Sequence, residues 1–116
     1  MKQDHRFGAD APVYLFRGGE HACVRIDAGA TDGLGDDFTL EVKDVSTFGF
    51  IAVSARLPIT GEAVTVRLPG LEQQRACVAY CDGHWAAYSF EQELDWALVA
   101  RTLLASGGSA SRAAAA

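Results

Sequence analysis

Hydrophobic and polar positions alternate along much of this chain in short stretches, and glycine, proline and aspartate separate them. Phe38, Leu40 and Val42 alternate with Thr39, Glu41 and Lys43, the period of a strand with one buried face. Val64, Val66 and Leu68 do the same against Thr65 and Arg67. Residues 13–16, 22–26 and 50–53 are dense in β-branched and aromatic side chains, which favour extended backbone. Residues 76–81 and 84–90 flank Asp82-Gly83, a pair that accepts the positive backbone angles of a tight turn, so this segment predicts a hairpin. The glycine- and aspartate-rich stretch 27–37 reads as a flexible loop. After residue 94 the period changes. Trp96, Val99, Ala100, Leu103 and Leu104 fall on one face of a helix that Asp95 would cap and Gly107 would end. That apolar stripe is expected to close one end of a sheet core. A partner-binding face is the other reading of it.

These elements, about six short strands joined by turns and one final helix, favour an all-β fold: an antiparallel barrel, closed so that no strand edge is exposed, followed by one C-terminal α-helix. Residues 1–105 form a single domain that begins with a flexible arm over residues 1–11. Residues 106–116, rich in serine, glycine and alanine, read as a frayed tail.

With 116 residues the chain is long enough for one core and too short for two. Hydrophobic residues at 49% and charged residues at 22% are those of a folded globular protein. A net charge of −5 argues against a nucleic-acid polymer as partner, since that would need a basic stripe, but leaves room for a small anion held by two or three local cations. No apolar run reaches the length of a membrane span, and the polar start lacks the core of a signal peptide. The expected setting is the cytoplasm, with no membrane association. Cys23, Cys77 and Cys81 are odd in number, which does not suit a disulfide framework. In a strand Cys77 and Cys81 would lie about 13 Å apart, too far to share a zinc ion. The three thiols therefore read as buried small hydrophobes, and no metal or other cofactor is expected.

Candidate chemistry concentrates in Asp44-Val45-Ser46-Thr47-Phe48-Gly49, between two apolar runs. In extended backbone Asp44 and Ser46 project to the same side and Val45 to the other. A carboxylate and a hydroxyl together can read the edge of a flat, amide-rich ligand, and Gly49 would let it approach the backbone. The same residues also suit a purely structural turn, because Asp and Ser bond their own backbone in Asx and Ser/Thr turns. On the arm, Lys2 and Arg6 are four apart and can converge on one ligand whether the arm is extended or helical; a solvated terminus is the other reading of it. The aspartates of residues 27–37 lack the regular alternation and terminal glutamate of a calcium-binding loop. His84 has no recognisable nucleophile or carboxylate beside it and reads as a turn neighbour. No catalytic set of nucleophile, base and orienting group stands at useful spacing, so the chain does not read as an enzyme.

In this order of elements the sequence resembles the PilZ domain, the bacterial receptor module for cyclic di-GMP. That family carries a paired-arginine arm, Arg-x-x-x-Arg, and downstream an Asp/Asn-x-Ser-x-x-Gly motif. Residues Asp44 to Gly49 match the second motif at every defined position, while Lys2 stands where the first arginine of the arm belongs and Arg6 takes the place of the second. The similarity runs from the arm to about residue 94 and includes Leu68-Pro69-Gly70 and a strand ending in Phe90. The long stretch 27–37, and Ala86-Ala87 where the family often has a glycine, depart from it. The resemblance implies a six-stranded antiparallel barrel with a C-terminal α-helix, and a cyclic di-GMP receptor that binds through Lys2, Arg6, Asp44, Ser46 and Gly49 and passes the signal to an effector protein. Lysine keeps the charge of the missing arginine and loses its planar fork. A degenerate member that has lost the nucleotide and serves as a protein-interaction adaptor is the alternative.

Overall fold

The computed structural model describes residues 20–106 and 113–114. The predicted strand at 13–16 and the arm lie outside the described residues. Six antiparallel strands follow in order: β1 (Glu20–Asp32), β2 (Asp37–Ser46), β3 (Gly49–Ser54), β4 (Ala63–Arg67), β5 (Gln74–Asp82) and β6 (Trp85–Phe90). They are hydrogen-bonded in the order β2-β3-β6-β5-β4-β1, and β1 also pairs with β2. That last ladder closes the sheet into a barrel. The helix α1 (Trp96–Ala105) follows, and a two-residue strand β7 (Ala113–Ala114) pairs with Glu20 and His21.

Inward-facing side chains from all six strands fill the barrel. Phe50, Tyr88, Leu40, Val42, Val45, Val66 and Val78 are fully buried. The rings of Phe50 and Tyr88 stack with centroids 4.7 Å apart, and Phe90 tilts against Phe50 at 5.5 Å. Burial removes the Tyr88 phenol from water and pushes its pKa up to about 12. Helix α1 covers one end of this core with Val99, Thr102 and Leu103. Leu104, expected on the buried face, is 62% exposed, and Thr102 takes the inward place. Asp95 is the N-cap, but its side chain makes no capping bond; its main-chain carbonyl accepts from the amides of Leu98 and Val99 instead. In the β3–β4 connection Arg56 donates to Glu62 at 2.8 Å and lies 4.1 Å over the Phe38 ring, which ties that loop to the barrel.

The stretch 27–37 is not a loop. Strand β1 continues to Asp32 and β2 starts at Asp37. Ala28 and Ala30 are buried while Asp27 points to solvent, so period-2 alternation runs through residues of weak β propensity. Pairing with β2 on one side and β4 on the other supplies what propensity lacks. The reversal is confined to residues 33–36, where the Asp32 carboxylate accepts from the amides of Leu34 and Asp36. Those amide donors, Asp36 first, hold the Asp32 carboxyl below the ordinary aspartate range.

The β5–β6 hairpin is present, with Asp82 paired to Trp85 and a loop of Gly83-His84. Within that loop Gly83 has a positive φ, at 64°, and His84 does not, the pattern of a turn with glycine at its first central position. The turn residues are thus one place later than Asp82-Gly83. The thiols also differ from expectation: Cys23 and Cys77 are exposed and Cys81 is half-buried. Cys77 lies on the outer face between the inward Ala76 and Val78. A register shift between Val78 and Tyr80 then leaves Ala79 and Tyr80 both exposed.

Candidate functional site

Strand β2 carries the candidate chemistry, and an irregularity in it decides where that chemistry points. Leu40 and Val42 face the core, so strict alternation would send Asp44 inward as well. In the ladder with β3, however, Val42 pairs with Ala52 and Asp44 pairs with Ile51, which leaves Lys43 as an extra residue. On the other side of β2, Cys23 pairs with Asp44 and Ile26 with Val42, so that Val24 and Arg25 stand against Lys43 alone. This bulge restores the phase. Val45 enters the core and Asp44 turns to the outer wall of the barrel.

There the Asp44 carboxylate meets two side chains of β1. Cys23 is its direct cross-strand partner, and Sγ donates to Oδ2 over 3.7 Å. His21, two residues earlier in β1 and therefore on the same face, places Nδ1 3.0 Å from Oδ1. The imidazole and carboxylate side chains are 17% and 16% exposed, whereas Cys23 is open to solvent. Burial raises the Asp44 pKa above the usual aspartate value, although bonds from His21 and Cys23 pull the other way. Burial, followed by the neighbouring Asp44 charge, likewise pushes the Cys23 thiol up.

Beside this trio, Arg25 and Lys43 both pair with Glu41, at 2.9 and 3.2 Å, and hold its carboxyl below the ordinary range, Arg25 first. The Lys43 ammonium also lies 6.0 Å from the centre of the Trp85 ring.

Ser46 has a different environment. It is fully buried, and its Oγ accepts from the amides of Phe48 and Gly49 at 3.1 and 3.3 Å while lying 3.4 Å from the Gly49 carbonyl. The hydroxyl therefore closes the β2–β3 turn as a Ser/Thr turn does. The turn is further pinned where Phe90 and Leu94 donate to the carbonyls of Phe48 and Thr47. Gly49 is buried and starts β3, paired with Ser89. Of the residues singled out from the sequence, Asp44, Ser46 and Gly49 lie along this one turn, and Lys2 and Arg6 lie outside the described residues. The sequence reading missed His21 and Cys23. Their signal is only a His-x-Cys spacing at the start of a strand, and the partner that gives it meaning is 21 residues beyond Cys23.

Among the described residues no helix is long and apolar enough to cross a membrane. Compared with protein-family models and with curated proteins, the chain gives no match.

Proposed function

We propose that the chain is a cyclic di-GMP receptor domain of the PilZ type, acting in the cytoplasm to couple the level of that second messenger to an effector protein. The observation that carries this reading is the placement of Asp44: the bulge at Lys43 brings an acceptor carboxylate to the outer wall of a closed barrel, next to a turn held by the Ser46 hydroxyl. On that wall a carboxylate can accept from the N–H groups of a guanine edge. Arg6, by the resemblance, supplies the planar cation that pairs with phosphate or stacks on a base, and Lys2 adds charge without the fork. In this reading Ser46 and Gly49 shape the turn beside the ligand, and nothing in the site performs catalysis.

The adaptor reading has its own support. The Asp44 carboxylate is already engaged by His21 and Cys23, and the Ser46 hydroxyl by its own turn. A nucleotide would have to displace the first pair.

Titration calorimetry of the whole protein with cyclic di-GMP separates the two. Saturable heat that Arg6→Ala and Asp44→Ala each reduce by about tenfold or more in affinity supports the receptor, as expected for loss of a charge-assisted contact. Lys2→Arg is expected to tighten binding. Absence of heat, together with failure to compete for a labelled nucleotide at millimolar concentration, overturns the receptor reading and leaves the adaptor.

A further inference from the structure

We propose that His21, Cys23 and Asp44 form a binding site for a divalent transition metal, zinc above the others. The inference stands on the geometry of this trio and does not depend on nucleotide binding. Each residue offers one ligand atom, an imidazole nitrogen, a thiol sulfur and a carboxylate oxygen, and these atoms all lie within 4.8 Å of one another. A four-coordinate zinc ion bound at about 2.0–2.3 Å holds its ligand atoms roughly 3.3–3.8 Å apart. The existing separations, 3.0 Å from His21 Nδ1 to Asp44 Oδ1 and 3.7 Å from Cys23 Sγ to the other oxygen, Oδ2, lie just below that spacing and within it. Small side-chain rotations would therefore admit the ion with no change of fold.

The backbone that carries the three residues is already fixed. Cys23 and Asp44 are register partners, and His21 pairs with Ser46 in the same ladder. Metal sites on paired strands hold their geometry better than sites on loops. The donor set selects among metals. Calcium and magnesium take oxygen ligands, whereas a mixed nitrogen, sulfur and oxygen set suits a borderline-soft ion. Thiolate and carboxylate together balance a charge of +2, which removes the electrostatic penalty of placing both anions side by side on a half-buried wall.

The proton balance is simple. The hydrogen-bonded trio is the metal-free form, in which Sγ–H donates to Asp44. In that form His21 Nδ1–H also donates to Asp44; binding releases the thiol proton to solvent, and the imidazole hydrogen passes by way of solvent from Nδ1 to Nε2, so that a neutral His21 binds through Nδ1 and one proton is released in all. Three protein ligands leave the fourth position of a tetrahedral ion for water or an exchanging ligand, on the side where Cys23 is exposed.

Cobalt(II) is the test probe, because a thiolate–cobalt bond gives a near-ultraviolet charge-transfer band and a four-coordinate ion absorbs strongly in the visible. Full-length protein, reduced and freed of metal by a chelator, is titrated with cobalt and then with zinc. The expected result is one equivalent of cobalt, a thiolate band, and displacement by zinc. Cys23→Ser should abolish the band, Cys77→Ser and Cys81→Ser should keep it, and Asp44→Asn and His21→Gln should each weaken affinity by about tenfold or more. Zinc should also protect Cys23, and not Cys77, from alkylation as read by mass spectrometry; this needs no variant to fold. No thiolate band in the unaltered protein, a band retained in Cys23→Ser, or alkylation of Cys23 unaffected by saturating zinc would overturn the proposal.

Discussion

Cys23 and Asp44 face each other directly across the β1–β2 ladder, with Sγ 3.7 Å from Oδ2. Neither group is at ease there in its charged form, since burial raises the pKa of both and the carboxylate raises that of the thiol further. Chemical reactivity on this wall therefore depends on what else occupies it.

Asp44 should oppose folding when ionised. A folded-state pKa above the ordinary aspartate value means that the native state holds its proton longer than the unfolded chain. The contribution is most favourable below about pH 4 and is lost as the pH rises through the raised pKa. In chelator-treated protein, Asp44→Asn is expected to be as stable as the unaltered chain at neutral pH, or more so, because the amide oxygen still accepts from His21 and no charge is desolvated. Its stability should fall less on going up from about pH 4. Denaturant melts across that range test this; a loss at neutral pH of more than about 2 kcal/mol would show that the ionised carboxylate is a net support.

Reactivity of Cys23 follows from the same pair. The thiolate is the nucleophile, so a raised pKa slows alkylation at neutral pH. Removing the Asp44 charge takes away one of the causes. Asp44→Asn should speed iodoacetamide labelling of Cys23 several-fold and leave Cys77 unchanged, as followed by peptide mass spectrometry over time. Equal rates in both proteins would mean that exposure alone governs the thiol.

Thr102 lies fully buried under the barrel end, and among the described residues its Oγ1 has no hydrogen-bond partner. A hydroxyl taken from water without compensation costs about 1–3 kcal/mol. Valine has nearly the same shape and a similar helix propensity. Thr102→Val is thus expected to stabilise the fold by about 1 kcal/mol, seen as a higher denaturation midpoint at an unchanged slope.

Gly70 and Gly83 both have positive φ, 77° and 64°, yet their surroundings differ. A Cβ on Gly83 would meet open space, whereas one on Gly70 would come within 2.8 Å of the Ala105 Cβ and 3.3 Å of the Arg101 carbonyl. Backbone strain alone costs about 1–2 kcal/mol, which is the loss expected for Gly83→Ala. Gly70→Ala should lose distinctly more, because the end of α1 must also shift. Comparable losses in thermal melts of the two variants would indicate that the helix end yields freely.

Strands β2 to β6 and the helix were readable from local pattern, because Phe38 to Val42, Val64 to Leu68 and the Asp82-Gly83 hairpin carry their own periodicity or turn chemistry. Of the long β1 only residues 22–26 were, since Ala28, Gly29 and Ala30 have little strand preference and extend only because β2 and β4 flank them. The exposure of the thiols was missed for a related reason: composition ranks cysteine as a core residue, but the face of a strand it occupies depends on register.

A chain can encode in its local order which stretches are extended, where they reverse and which turn carries Asp44, Ser46 and Gly49, since those properties depend on neighbouring side chains and backbone angles. Which of those groups faces outward, and what it meets there, depended on barrel closure. One surplus residue at Lys43 turns Asp44 to the outer wall, and pairing across a gap of more than twenty residues sets His21 and Cys23 against it. Register between distant strands is settled by the packing of the whole core, and no window of sequence around either partner contains it.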